Sequence, residues 1–176
     1  MGKKKITVTL SERGIDDAIK ELREYQRDLT RKTELLREKI AERIASEAQQ
    51  GFNGAIVDDI LGSYGSSHNA DVSVTIDNRD KVTVVIASGE DAVWVEFGAG
   101  VYHNGTAGSS PHPNGAELGL TIGSYGQGYG KRAVWGYYDD SNTLVLTHGT
   151  PARMPMAIAV STVLNDIKAI ADEVFG

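Results

Sequence analysis

The chain contains no cysteine. Disulfides, thiolate catalysis and cysteine-ligated zinc or iron–sulfur centres are therefore excluded. It also lacks any run near the roughly 18 consecutive apolar residues that a membrane-spanning helix requires. The basic start, Met1 to Lys5, is not followed by an apolar run of signal-peptide length. We expect a protein that stays in the cytoplasm where it is made and has no membrane partner.

Positive charge is scarce in the second half of the chain. The 176 residues carry a net charge of −6, with Lys3 to Lys5 all basic. From Gly51 onward, six basic residues face fourteen carboxylates. Tight nucleic-acid binding needs clustered lysine and arginine against phosphates, so this acidity argues against it there.

The stretch from Trp94 to Met156 organises the chain. Ten glycines lie between Gly98 and Gly130, and such a density weakens any helix or strand. A long segment without regular structure inside a compact domain is unusual and is generally functional or disordered. We expect one domain over residues 1–176, with a long glycine-rich arm at about 98–132.

The N-terminal part predicts a strand and then a long helix. Alternation over residues 6–10 indicates the strand, and a helical apolar stripe runs from Ile15 to Ala48. If continuous to residue 50, the helix would be about 54 Å long, against an expected radius of gyration near 16 Å. It therefore either breaks near Thr30 to Thr33 or projects and packs on another subunit. Gly51 is predicted to end it, and residues 55–61 to form a short second helix.

Further on, alternation predicts a β-hairpin over residues 72–76 and 82–86. Residues 92–97 suit a short helix, with a strand as the alternative. A second hairpin is expected over residues 133–138 and 143–147. Pro155 suits the first turn of a final helix. The predicted fold class is α+β, with an antiparallel sheet of short strands packed against a long N-terminal helix and a C-terminal helix.

The sequence offers little catalytic chemistry. His103, His112 and His148 with Glu96 could be assembled into a metal site, but their spacing fits no pair of helix-borne ligands. The glycines ending at Lys131 are followed by Arg132, which departs from a phosphate-binding loop. We therefore predict no catalytic residue, cofactor or metal. Tyr125 and Tyr129, interleaved with glycine, are interpreted as adaptable contact residues.

Glu96 and Arg153 are the charged residues nearest the two apolar ends of the arm. A salt bridge between them would tie those ends together. If it is buried, removing one partner would cost about 3–5 kcal/mol. We expect Arg153→Ala to lower the melting temperature on this hypothesis.

Several short motifs, taken in order, resemble a known family. They are Val95-Glu96-Phe97-Gly98, a glycine-rich region with His112-Pro113, an aromatic strand pair with Trp135, Gly149-Thr150-Pro151-Ala152-Arg153, and a terminal helix. Together they resemble the tail-completion, or head–tail joining, proteins of long-tailed bacteriophages and prophages. One departure is that Met154 follows the arginine, where the family usually has proline.

The resemblance implies a non-enzymatic virion component of the neck, made in the host cytoplasm and carried in the virion. Such proteins form rings, for example hexamers, that join the connector or stopper to the tail tube or tail terminator, and DNA passes through without specific binding. Taken with the glycine-interleaved tyrosines, the candidate interaction and structural residues are Trp94, Glu96, Phe97, Gly98, Tyr125, Tyr129, Trp135, Pro151, Ala152 and Arg153.

Three alternatives stay open. A related tail terminator, head-side stopper or minor tail component would share the fold. A small metal-dependent hydrolase would use the histidines. A prophage regulator would bind DNA through Lys3 to Lys5 and the first helix, with the salt dependence typical of phosphate contacts.

Overall fold

A computed structural model describes residues 7–57, 68–98, 112–115, 117, 135–147, 150 and 152–176. In chain order, its helices and strands are α1 (Glu12–Asn53), β1 (Ile56–Val57), β2 (His68–Asn69), β3 (Ser73–Asn78), β4 (Thr83–Ser88), α2 (Ala92–Phe97), β5 (Trp135–Tyr138), β6 (Leu144–Thr147) and α3 (Pro155–Phe175). The α+β class is confirmed, with three two-stranded antiparallel ladders in the described part of the chain.

The first helix, α1, is continuous over 42 residues. Its N-cap is Ser11, whose Oγ accepts the N–H of Gly14 at 3.1 Å. Of the two alternatives, the break near Thr30 to Thr33 does not occur, since the helix is continuous there. Thr30 and Thr33 donate their hydroxyls to carbonyls four residues back, at 3.0 and 2.8 Å, so these groups are satisfied within the helix. Packing of the helix on another subunit stays a prediction.

Three local predictions near α1 are wrong. Residues 7–10 form no strand, and Leu10 is 99% exposed; they precede the N-cap instead. The helix runs through Gly51 and ends at Gly54, whose N–H bonds the carbonyl of Gln50. Residues 56–57 pair with residues 68–69 as a short ladder in place of the expected helix.

The two predicted hairpins are confirmed. In the first, β3 and β4 pair over six residues each, with Ser73 opposite Ser88, and they lie against α1. In the second, β5 and β6 pair with Trp135 opposite Thr147. Its turn is held by Asp139, whose Oδ1 accepts the N–H groups of Ser141 and Thr143.

The helices α1 and α3 run antiparallel along part of their lengths. Lys39 pairs with Glu173 and Arg43 with Asp166, each at 2.9 Å. At the other end, a Cβ added to Gly51 would lie 2.7 Å from the Cβ of Pro155. The absence of a side chain at this glycine therefore allows the two backbones to approach closely.

The core sits where the end of α1 meets α2 and the first hairpin. Its buried residues are Phe52, Ala55, Val57, Val72, Ala92 and Val95. On α3, Val163, Ile170 and Val174 are buried. Other apolar side chains of this helix face outward: Val160, Leu164 and Ile167 are at least 40% exposed. Among the described helices, none is long and apolar enough to cross a membrane.

Candidate functional site at the junction of α2 and α3

Backbone contacts join α2 to the chain just before α3. The carbonyl of Val95 accepts the N–H of Arg153 at 2.8 Å and that of Met154 at 3.4 Å. Gly98 has a φ of 78°, and a Cβ there would lie 2.8 Å from the nitrogen of Ala152. Both the left-handed backbone and the close approach require glycine. We call this region, residues 95–98, 112–114 and 152–157, the junction.

Glu96 caps α3 from a distant point in the sequence. The N-cap residue of α3 is Met154, in left-handed conformation (φ 55°, ψ 43°), and its side chain makes no capping bond. Pro155 has no N–H, so the first donors of the helix belong to Met156 and Ala157. The Glu96 carboxylate accepts both, at 2.8 and 2.9 Å. A negative group at a helix N-terminus is also favoured by the helix dipole.

His112 completes this arrangement. Its Nε2 lies 2.9 Å from Oε1 of Glu96, and its Nδ1 accepts the N–H of Asn114 at 3.0 Å. Because Nδ1 is an acceptor, Nε2 carries the proton and donates it to Glu96. The His112 and Glu96 side chains are each only 7% exposed, and the imidazole packs on Phe97 with ring centroids 4.2 Å apart.

These hydrogen bonds join α2, the segment at His112 and the start of α3, and they leave His112 no free lone pair. A neutral histidine binds a metal through its unprotonated nitrogen, and here that nitrogen is occupied by a backbone N–H. Both Glu96 oxygens are likewise engaged. Within the described residues, no group of three or more His, Asp and Glu side chains could hold a metal ion. His103 and His148 lie outside those residues.

The predicted salt bridge between Glu96 and Arg153 is wrong. Three donors inside the junction already surround the Glu96 carboxylate. Arg153 is exposed, and its guanidinium donates to the carbonyl of Gly54 at 3.3 Å. The backbone of Arg153 therefore joins the junction while its side chain reaches the end of α1.

The structure brings five of the ten predicted site residues together. Glu96, Phe97, Gly98, Ala152 and Arg153 belong to the junction, and the half-buried Trp94 precedes it on α2. Trp135 begins β5. Tyr125, Tyr129 and Pro151 fall outside the described residues.

Two polar residues were missed by sequence reasoning. The side-chain amide of Gln49 bonds the backbone at the start of β3 as a neighbouring strand would. It donates to the carbonyl of Val72 at 2.9 Å and accepts the N–H of Val74 at 2.8 Å. Asp91 is the N-cap residue of α2, but its side chain makes no capping bond; it accepts the N–H of Asp71 at 2.9 Å and contacts His68 at 3.0 Å. A lone glutamine in an amphipathic helix carries no sequence signal for such a role.

Beside the junction lies an open cavity of about 470 Å³. Phe97, His112 and the exposed Val93 and Val160 are among the residues that line it. It is largely apolar, and the polar side chains of Glu96 and His112 bond each other at its wall.

Comparison of the chain with models of protein families, with curated proteins and with solved structures found no match.

Proposed function

We propose that this protein is a structural, non-enzymatic subunit of a tailed-phage or prophage virion, which joins the head connector to the tail as an oligomeric ring. The related roles of tail terminator, head-side stopper or minor tail component are the alternatives. The proposal rests on the resemblance together with one structural observation, the junction.

The junction supports the proposal because the motifs that carry the resemblance meet there. The segment Val95 to Gly98, the residue His112 and the segment before α3 lie far apart in sequence, yet they contact one another through named hydrogen bonds. The Glu96 carboxylate and the His112 imidazole have a structural role in this network, since their hydrogen bonds hold backbone groups in place.

The charge of the second half suits a ring around passing DNA. Carboxylates repel phosphate, so an acidic lumen lets DNA slide without holding it. Neutralising lumen carboxylates should then slow or stall DNA passage, and unchanged passage would count against an acidic lumen.

A deletion experiment tests the neck role. In a phage or prophage that encodes this chain, its deletion should yield filled heads and complete tails that remain separate under the electron microscope. Adding the purified protein to the lysate should restore joined virions. Tails of abnormal length would favour a terminator, and heads that lose their DNA would favour a stopper. Normal infectious virions after deletion would refute all of these roles.

The hydrolase alternative has its own assay. Purified protein that retains metal in a stoichiometric amount, and loses an activity when the metal is chelated, would favour a metal-dependent enzyme. We expect no stoichiometric metal, because the Nδ1 lone pair of His112 is used by the Asn114 N–H.

A further inference from the structure

The outer half of α1 carries an exposed apolar face. Five side chains at helical spacing are each 37–54% exposed: Ile15, Ile19, Leu22, Tyr25 and Leu29. We call these five residues the outer stripe. They span about 21 Å of helix. A helix face this apolar is normally covered in the functional state of a protein.

A second exposed apolar face lies on α3. Val160, Leu164 and Ile167 recur at helical spacing, and Val93 of α2 lines the same cavity as Val160. These four side chains are 40–59% exposed, and we call them the α3 face. The cavity of about 470 Å³ beside Val93 and Val160 adds a hollow that an incoming side chain can enter.

Within one chain, the outer stripe cannot reach the α3 face. On α1, Arg43 pairs with Asp166, which lies two residues after Leu164 in the sequence. Leu22 precedes Arg43 by 21 residues, which is about 31 Å along a continuous helix. The stripe therefore lies well beyond the face that it would have to cover.

We propose that the outer stripe of one copy packs on the α3 face of a second copy. One such contact covers both apolar surfaces. Every subunit packs its outer stripe on one neighbour, and its α3 face contacts the outer stripe of another neighbour. Pairing α1 with α1 across a two-fold axis would leave the α3 face exposed. A contact between two different surfaces is heterologous, and it generates a closed ring or an open helical array.

Charge sets the direction of the helices in this contact. Residues 12–17 of α1 carry three acids and one base, whereas residues 27–32 carry three bases and one acid. The last turn of α3 has no base and contains Asp172 and Glu173, while the exposed Arg153 precedes its first turn. A parallel arrangement places opposite charges near each other at both ends, within about one Debye length.

The size of the contact decides how assembly proceeds. The outer part of α1, residues 12–32, is about 30 Å long and a helix is about 10 Å wide. One such contact buries less than the roughly 800 Å² per partner of a typical stable pair. A dimer is therefore weak, and a closed ring, in which every subunit makes two contacts, is the first stable species.

This contact supplies the packing of the proposed ring, but its test needs no phage component and stands apart from the neck role. Because the native chain has no cysteine, introduced thiols can react only with each other. A disulfide requires Cα atoms within about 7 Å. We expect the double variant Leu22→Cys/Leu164→Cys to give, on mild oxidation, a ladder of dimers, trimers and larger species.

Single variants separate this contact from its rivals. Leu22→Cys alone and Leu164→Cys alone should stay monomeric under denaturing electrophoresis, and a mixture of the two should stop at the dimer. Glu24→Cys, on the opposite face of α1, combined with Leu164→Cys is the matched control and should give no ladder. Dimers from Leu22→Cys alone would overturn the proposal in favour of two-fold pairing.

Orientation and assembly complete the test. The pair Leu29→Cys/Ala171→Cys should cross-link, and Ile15→Cys/Ala171→Cys should not, if the helices are parallel. Leu22→Asp should lower the assembled fraction in light scattering at least tenfold while the part of α1 that pairs with α3 stays folded, which a retained cooperative urea transition would show. Absence of cross-links in the first double variant, with or without assembly, refutes the contact and leaves the deletion experiment to judge the neck role.

Discussion

Replacing Glu96 by glutamine tests the junction directly. The native carboxylate offers two acceptor oxygens to three donors, namely the N–H groups of Met156 and Ala157 and the Nε2 of His112. Glutamine keeps the shape but has one acceptor oxygen and an NH₂ donor. Whichever way the amide is turned, its NH₂ faces at least one of those donors, and the negative charge at the start of α3 is lost.

The magnitude follows from two losses. A hydrogen bond to a charged group contributes about 1.5–3 kcal/mol, and a charge at a partly buried helix terminus up to about 2 kcal/mol. Since the side chain is only 7% exposed, water cannot replace the lost acceptor. We expect Glu96→Gln to lower the free energy of unfolding by about 2–3 kcal/mol, which is a melting shift of about 5–10 °C at this chain length.

Urea unfolding followed by circular dichroism measures this difference, and the slope should stay constant while the midpoint falls. Amide exchange supplies a local readout, because the N–H groups of Met156 and Ala157 should lose protection first. Glu90→Gln, at an exposed position two residues before α2, is the matched control. If Glu96→Gln is within about 0.5 kcal/mol of Glu90→Gln, the capping role assigned to Glu96 is wrong.

Glycine to alanine within a helix normally gains about 1 kcal/mol. Gly51→Ala should instead destabilise the protein, because the new Cβ would lie 2.7 Å from the Cβ of Pro155. A higher urea midpoint would contradict this expectation. Arg153→Ala should change the free energy of unfolding by well under about 1 kcal/mol, since it removes one exposed hydrogen bond. A large fall in melting temperature would instead support the predicted salt bridge between Arg153 and Glu96. The hydrogen bond from Lys39, followed by its charge, lowers the pKa of Glu173 below the ordinary 4.5. That stabilisation is present above the ordinary pKa and is lost as the pH falls through the lowered pKa, so Lys39→Met should raise the NMR-titrated pKa of Glu173.

Periodicity was sufficient to predict most elements of this fold. Alternation located β3 and β4, and Pro155 located the first residue of α3. The errors fall where local signals were ambiguous. Residues 6–10 alternate like a strand, yet the described part of that segment has no strand partner. A strand exists only through its partner, which periodicity does not reveal.

The junction was only partly predictable for a similar reason. The sequence indicated that Glu96, Gly98 and Arg153 belong to one region, but it paired the wrong charges. Opposite charges suggest a salt bridge, whereas the backbone N–H groups of Met156 and Ala157 carry no sequence signal as partners. The residue that caps α3, Glu96, lies 60 residues before Met156 in the sequence. A search for local capping residues around Met154 would therefore find none.

The outer half of α1 links folding to assembly. An isolated helix of about 20 residues is marginal in water, because nucleation is costly and most helical stability comes from packing. Ion pairs such as Asp28 with Arg31 at 2.9 Å add only a few tenths of a kcal/mol. Packing on a neighbour's α3 face would supply the missing stabilisation, so helical content per residue should rise with protein concentration. Leu22→Asp should abolish that rise and leave the part of α1 that pairs with α3 intact, because Lys39 and Arg43 hold it there independently of the neighbour.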